Sequence, residues 1–294
     1  MIDKLKKGDI IGIVCPSHIG SRERYERDIY VIESLGFRVK MGKNVYENTY
    51  GYSASEKQRA DDFNDMVSDN EVKMVLFGGG EGGNELFEYL DFENMKKNLK
   101  FYCSFSDGTS ILNAIYSKTG LVTHYGQSPG MFYDLRHYDY LNFANHFIEK
   151  NEEKYIMDSQ WKTLNSGVCE GILVGGYIRN FALLLGSDYF NNNKNKKYIL
   201  FLEDFEKFNS IAKVSSYLTH IEQNKFCKNI SGLIFGHYSD NDCPDLYYRL
   251  ERFGQKLNIP VVYTDDFGHG NAHAIFPIGR SAIIDADEQT LKYK

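Results

Sequence analysis

The stretch Phe101-Tyr102-Cys103-Ser104-Phe105-Ser106-Asp107-Gly108-Thr109-Ser110 decides how this chain is read. It follows a polar, lysine-rich turn at residues 94–100 and runs into the apolar-periodic Ile111-Leu112-Asn113-Ala114-Ile115-Tyr116. Strand, tight turn and helix is the reading that this succession supports. A serine at such a turn stands on top of a sheet, with a helix N-terminus behind it that favours developing negative charge. Ser106 is therefore the candidate nucleophile. The hydrolase signature G-x-S-x-G is not met, because Ser104 and Gly108 flank the serine. On spacing alone the plainer reading wins, because a serine before a helix is usually only an N-cap.

Working outward, the same strand-and-helix alternation recurs. Residues 9–15 (D-I-I-G-I-V-C) form a continuous apolar run of the kind buried on both faces of a parallel sheet. A helical pattern at 22–35, a short strand at 37–39 and a charged helix around 58–63 follow, completing a βαβ opening. A third buried strand at 72–77 runs into the glycine cluster 78–83. Further on, strands are expected at 171–176, 198–204, 232–236 and 261–264, with helices around 141–150, 180–185, 211–223 and 247–257. A hairpin-like stretch closes the chain. The fold class expected is α/β. An N-terminal domain (1–150) carries a parallel sheet flanked by helices, residues 151–165 form a linker, and a C-terminal domain (166–294) has a more mixed or barrel-like sheet. The Asn/Lys-rich residues 191–197 read as a solvated loop.

Composition narrows the function. Over 294 residues the net charge is −6 with both signs interspersed, so no basic stripe offers itself to a nucleic acid polymer. No apolar run is long enough to span a bilayer, and the first residues lack a signal-peptide core. The five cysteines are spread singly, which indicates neither a disulfide framework nor a zinc site and favours a reducing, cytoplasmic setting.

Three groups that a serine hydrolase needs stand at strand ends: Ser106, Glu203 and His269. The base must take the serine proton and an acid must hold its imidazole. Asp204 competes with Glu203 for the second role. His269 and His273 have H-x-x-x-H spacing, but Gly268 and Gly270 argue for a turn rather than a metal-binding helix. The glycine cluster lacks the G-K-[ST] of a phosphate loop, and suits an oxyanion hole where backbone N–H groups approach a carbonyl. The N–H of Asp107 would be its second donor. No metal and no cofactor is expected.

These residues, in this order, resemble the LD-carboxypeptidase and microcin C self-immunity family of serine peptidases. The likeness is carried by K-G-D-I-I-G-I-V-C-P-S (7–17), Gly79-Gly80-Glu81-Gly82, S-F-S-D-G-T (104–109) and T-G-L-V-T (119–123). It continues through Gly175-Gly176, L-F-L-E-D (200–204), Gly268-His269 and P-I-G (277–279). It implies Ser106 as nucleophile, His269 as base, Glu203 as orienting acid, and an oxyanion hole at Gly80 and Asp107. It further implies two domains with the active site between them, a homodimer, and a small-molecule or short-peptide substrate cut at an amide beside a free carboxylate through an acyl-enzyme. Glu81, Tyr177 and Leu185 are the residues that it places around the substrate.

The sequence departs from the family pattern at Ser104 (glycine in the family), Phe105 (tyrosine), Gly108 (a larger apolar residue) and Tyr177 (commonly asparagine). Leu185 stands where the immunity branch has an indole, and the only tryptophan, Trp161, falls in the expected linker. The Tyr125-Gly126 turn and the L-F-L-E-D strand resemble the immunity branch, which detoxifies aminoacyl nucleotides or sulfamoyl adenylates. That is the activity expected first. A murein tetrapeptide LD-carboxypeptidase and a catalytically silent ligand-binding protein on the same scaffold are the alternatives.

Overall fold

A computed structural model describes residues 2–149, 151, 155–191, 193 and 195–294. The chain divides into two compact units, Met1–Lys150 and Asn151–Lys294.

The first unit is built on a five-stranded parallel sheet. Its strands are β1 (Ile10–Val14), β2 (Arg38–Met41), β3 (Val72–Phe77), β4 (Phe101–Ser104) and β5 (Thr123–Tyr125), in the order β2-β1-β3-β4-β5. Strands β1 and β4 are buried at every position, as expected of a sheet covered on both faces. The covering helices are α1 (Arg22–Ser34), α2 (Glu56–Ser68), α3 (Phe92–Lys97), α4 (Thr109–Thr119) and α5 (His137–Phe143). Helix α2 starts at a capping box: Ser55 accepts from the Gln58 N–H while Gln58 reaches back to the Ser55 N–H. Helix α3 lies in the stretch read from sequence as a turn. Asp91 caps it by accepting from the Asn94 N–H, and Lys96 and Lys97 lie at its negative end.

The strand order reverses between β1 and β3. In an open parallel sheet, ligands bind beyond the carboxyl ends of the strands at such a switch point. The loops there are Pro16-Ser17 after β1 and the glycine cluster after β3, with Ser106 following β4.

The second unit has a mixed, seven-stranded sheet. In chain order its strands are β6 (Lys162–Asn165), β7 (Val168–Tyr177), β8 (Tyr198–Glu203), β9 (Ile230–His237) and β10 (Val261–Gly268), then β12 (Ser281–Asp285) and β13 (Thr290–Tyr293) after a short strand β11 (Phe276–Ile278). The order is β13-β12-β7-β8-β9-β10-β6, with β7 to β10 parallel and the outer strands antiparallel. Helices α6 (Ile178–Leu184), α7 (Ile211–Gln223) and α8 (Pro244–Leu257) complete it. Tyr177, Glu203, His237 and Gly268 all fall at the carboxyl ends of the four parallel strands.

The expected linker is otherwise than read. Residues 152–154 lie outside the described residues, as do 192 and 194 of the Asn/Lys loop. From residue 155 onward the segment is built into the second unit. Strand β6 pairs with β10, and the chain before it is strapped down by the fully buried Asp266. The Asp266 Oδ2 accepts from Tyr155 Oη (3.1 Å) and Trp161 Nε1 (3.0 Å), and its Oδ1 accepts from the N–H groups of Asp158 (3.3 Å) and Ser159 (2.5 Å). Polar sequence here reflects an edge strand and a hydrogen-bonded strap, not a free connection.

Replacing Asp266 with alanine leaves two side-chain and two backbone donors without their acceptor. A loss of about 3–5 kcal/mol is expected for removing one partner of such a buried charged cluster. The emission of Trp161 during denaturant unfolding reads it directly. An unchanged midpoint would refute the strap.

Candidate active site

Ser106 sits between β4 and α4 with φ 56, one of three non-glycine residues at positive φ among those described. That backbone costs about 1–3 kcal/mol and persists only where its surroundings over-determine it. The surroundings are visible. The Ser106 N–H donates to Tyr125 Oη (3.2 Å), and Thr109 Oγ1 donates to the Ser106 carbonyl (2.7 Å). The glycine loop presses on the serine from the other side. A Cβ added at Gly79 would lie 2.6 Å from the Ser106 Cβ, so only glycine fits there.

Asp107, next in sequence, ties the loops together. Its buried Oδ2 accepts from Ser17 Oγ (2.5 Å), after β1, and from the Gly83 N–H (2.7 Å), in the loop after β3. The Glu81 N–H donates to the Ser17 carbonyl (2.8 Å), while the Glu81 side chain is exposed. Gly80 has φ 138, and a Cβ on it would fall 2.1 Å from the Ser17 carbonyl oxygen. Arg59, buried on α2, donates to the carbonyls of Pro16 (2.5 Å) and Gly82 (3.2 Å) and pairs with Glu85. The charged helix of the sequence reading thus hides a clasp on both loops. Nothing in its pattern marks Arg59 apart from the exposed Lys57 and Asp61 of the same helix.

In the second unit, the fully buried Glu203 ends β8 and its Oε2 lies 2.8 Å from Nδ1 of His269. His269 is in the turn after β10, not on a helix, and of the two neighbouring acids it is Glu203 that lies against its ring. Asp204 turns elsewhere: its Oδ1 accepts from the Phe205 N–H (2.7 Å) and Asn209 Nδ2 (3.1 Å). Burial pushes the Asp204 carboxyl up to about 7 against those two hydrogen bonds.

Burial lowers the proton affinity of His269, but the Glu203 charge and hydrogen bond outweigh it, with Asp204 adding, so its pKa lies above the ordinary imidazole value. Aromatic rings wall the imidazole: Tyr177 edge-on at 5.3 Å, Phe208 edge-on at 5.1 Å and Phe205 stacked at 6.2 Å. The Tyr177 hydroxyl accepts from Asn209 Nδ2 (2.8 Å), so the residue that departs from the family pattern is a fixed wall beside His269. Leu185 is buried, just past the end of α6.

A second histidine went unnoticed in the sequence. His237, at the end of β9, bonds through Nδ1 to Asp265 (2.8 Å), which also accepts from Tyr263 Oη (2.9 Å). Its ring lies under the turn of His269, where a Cβ on Gly270 would come within 2.6 Å of it. Among the described residues, no group of three His, Cys, Asp or Glu side chains is arranged to hold a metal ion. No helix among them is long and apolar enough to cross a membrane.

Two departures from the family pattern explain each other. Ser104 is fully buried and its Oγ donates to the Phe77 carbonyl (2.8 Å). A Cβ on Gly108 would fall 1.9 Å from that same Oγ. The serine fills the space that a larger residue at 108 would take. Gly108→Ala is therefore expected to destabilise the chain by about 1–3 kcal/mol through overpacking. Adding Ser104→Gly should recover most of the loss, as read by denaturant midpoints. Equal midpoints for the single and double variants would sink this account.

Comparison with known proteins follows the same two units. Residues 11–126 match the LD-carboxypeptidase N-terminal domain and residues 170–284 the LD-carboxypeptidase C-terminal domain. The microcin C7 self-immunity protein MccF of Escherichia coli is 26% identical, covering 98% of this chain and 93% of that one. A probable murein peptide carboxypeptidase of Bacillus subtilis is 27% identical, covering 97% and 92%. Among solved structures, an MccF-like protein from Bacillus anthracis superposes with a TM-score of 0.87 at 27% identity, covering 99% and 97%. With both domains matched in order and the α/β fold shared, the chain belongs to the LD-carboxypeptidase family.

Proposed function

We propose that the chain is a serine hydrolase of the carboxypeptidase type. In this reading Ser106 attacks an amide carbonyl beside a free carboxylate, His269 carries the proton, and Glu203 orients the imidazole. The observation that carries it is the Glu203–His269 pair, a buried carboxylate 2.8 Å from Nδ1. With Nδ1 so engaged, Nε2 is the atom that takes the serine proton and returns it to the leaving amine. The acyl-enzyme then yields to water by the same proton path in reverse. Backbone N–H groups at Gly80 and Asp107 receive the oxyanion in this scheme. The glycine-only conformation of Gly80 supports that role.

Between the family's two activities, the indole tips the proposal toward a peptide substrate such as a murein tetrapeptide. Trp161 is buried and donates to Asp266, so the chain's only indole is committed to holding its own fold. Leu185 supplies no aromatic face. The second reading, hydrolysis of an aminoacyl sulfamoyl or phosphoramidate nucleoside, is favoured by Phe208. That ring is 59% exposed while edge-on to His269, and offers a surface on which a base could stack. Side-by-side assays of a murein tetrapeptide ending in D-alanine and of aspartyl sulfamoyl adenosine separate the two. Cleavage of the nucleoside alone would overturn the preferred substrate.

Ser106→Ala and His269→Ala are each expected to remove nearly all hydrolysis. Because the groups act as one unit, the double variant should be little worse than either single one. Strictly multiplicative losses would sink the shared mechanism.

The pH profile gives an independent check. His269 must be neutral to act as base, and its pKa lies above the ordinary value, so kcat/KM should rise with pH through a limb above about 6.5. Glu203→Gln removes the charge that raises this pKa. The limb should move to lower pH while the rate falls. A limb that stays in place would exclude His269 as the titrating base.

A further inference from the structure

A cavity of about 310 Å³ opens in the first unit beside the glycine loop. It is lined by His18, Arg24, Tyr25 and Asp28 from the β1–α1 region, by Gly78 and Gly79, and by the Ser128–Gly130 turn. Gly79 is the residue pressed against Ser106, so the cavity adjoins the candidate nucleophile. None of the roles given above uses its charged groups.

Two of those groups are unusual together. Asp28 is buried, at 2% exposure, and its Oδ1 has no hydrogen-bond partner among the described residues. A buried carboxylate without a donor is costly, and such a group calls for an explanation. Burial pushes its pKa up to about 6, with Arg24 pulling the other way. Arg24 lies one helical turn earlier on the same face of α1, and its guanidinium reaches to 4.0 Å from where a Gly130 Cβ would stand. A cation and an anion thus line one small cavity about one turn apart, without forming an ion pair within 4.0 Å among the described residues. His18 adds a ring whose pKa burial lowers, with Nε2 3.0 Å from the Tyr25 hydroxyl and the Gly79 backbone close beside it.

We propose that this cavity is a subsite for an α-amino-acid head group, its ammonium held by Asp28 and its carboxylate by Arg24. The two opposite charges on one carbon suit a carboxylate and a guanidinium spaced by a helical turn, and charge-assisted hydrogen bonds supply the recognition. The head group can come from two sources. One is the amino acid released by hydrolysis; the other is the zwitterionic side-chain end of a diamino-dicarboxylic residue within the peptide. The inference rests on the proposed role of Ser106 only for its place beside the reaction, since binding needs no turnover.

Calorimetric titration of the full-length Ser106→Ala protein tests it, with alanine (each enantiomer) and 2,6-diaminopimelate as probes. N-acetylalanine, which lacks the ammonium, and alaninamide, which lacks the carboxylate, serve as controls. Saturable binding of a probe is expected, with the controls silent. Affinity should fall about tenfold or more in Arg24→Gln and in Asp28→Asn, as befits hydrogen bonds to charged groups. Binding of alanine identifies the released amino acid as the source, and binding of diaminopimelate alone identifies the side-chain end. Should Asp28→Asn fold poorly, Arg24→Gln still decides, because Arg24 itself is solvent-exposed and its replacement leaves the core untouched. No binding by either probe, or full affinity in Arg24→Gln, overturns the subsite. If Ser106→Ala instead retains hydrolysis, the nucleophile assignment falls while head-group binding stands.

Discussion

One carboxylate oxygen ties together the strand-end loops of the first unit. Oδ2 of Asp107 accepts from Ser17 and from the backbone of Gly83, so the loops after β1 and β3 are fastened to the residue that follows Ser106. Both bonds are buried, where a donor left without its acceptor would be costly. The strained backbone of Ser106 can be sustained because the next residue is anchored at two points. Arg59 clasps the same loops through the carbonyls of Pro16 and Gly82, so donors and acceptors on both loops are answered. The topological switch point provides the crevice; these polar contacts give it a fixed lining.

The second unit solves a different problem: holding one imidazole in a fixed place. The buried Glu203 carboxylate lies against its Nδ1 and raises its pKa, while the rings of Tyr177, Phe205 and Phe208 wall it in. Glycine at 270 admits the ring of His237 directly under the turn. Rigidity here comes from packing as much as from hydrogen bonding, and such support fixes a catalytic group within a fraction of an ångström.

Much of this was legible in the chain. The buried parallel strands announce themselves as apolar runs, and helix α7 falls at residues 211–223 as periodicity alone predicts. Ser106, Glu203 and His269 do stand at strand ends, as the pattern around them predicts, and His269 lies between two glycines. What escaped the sequence was of three kinds. Helix α3 is too short for periodicity, and only its Asp91 cap betrays it. Strand β6 is a polar edge strand whose partner lies about a hundred residues away, so it reads as a linker. The Ser17–Asp107 bond and the Asp266 strap join residues separated by 90 and more than 100 positions, and their meaning exists only once the sheets are assembled.

The exchange of volume between Ser104 and Gly108 bears on how such a chain can change over time. The arrangement that the family resemblance implies, small at 104 and larger at 108, would fill from the other wall the space that the Ser104 side chain fills here. Any stepwise route between them passes through one of two halfway chains. Both positions small leaves a methyl-sized void, costing about 1 kcal/mol. Both positions filled forces atoms together beneath the strained serine, where no slack remains. The order of substitution is therefore constrained by packing, and the hollow intermediate is the passable one.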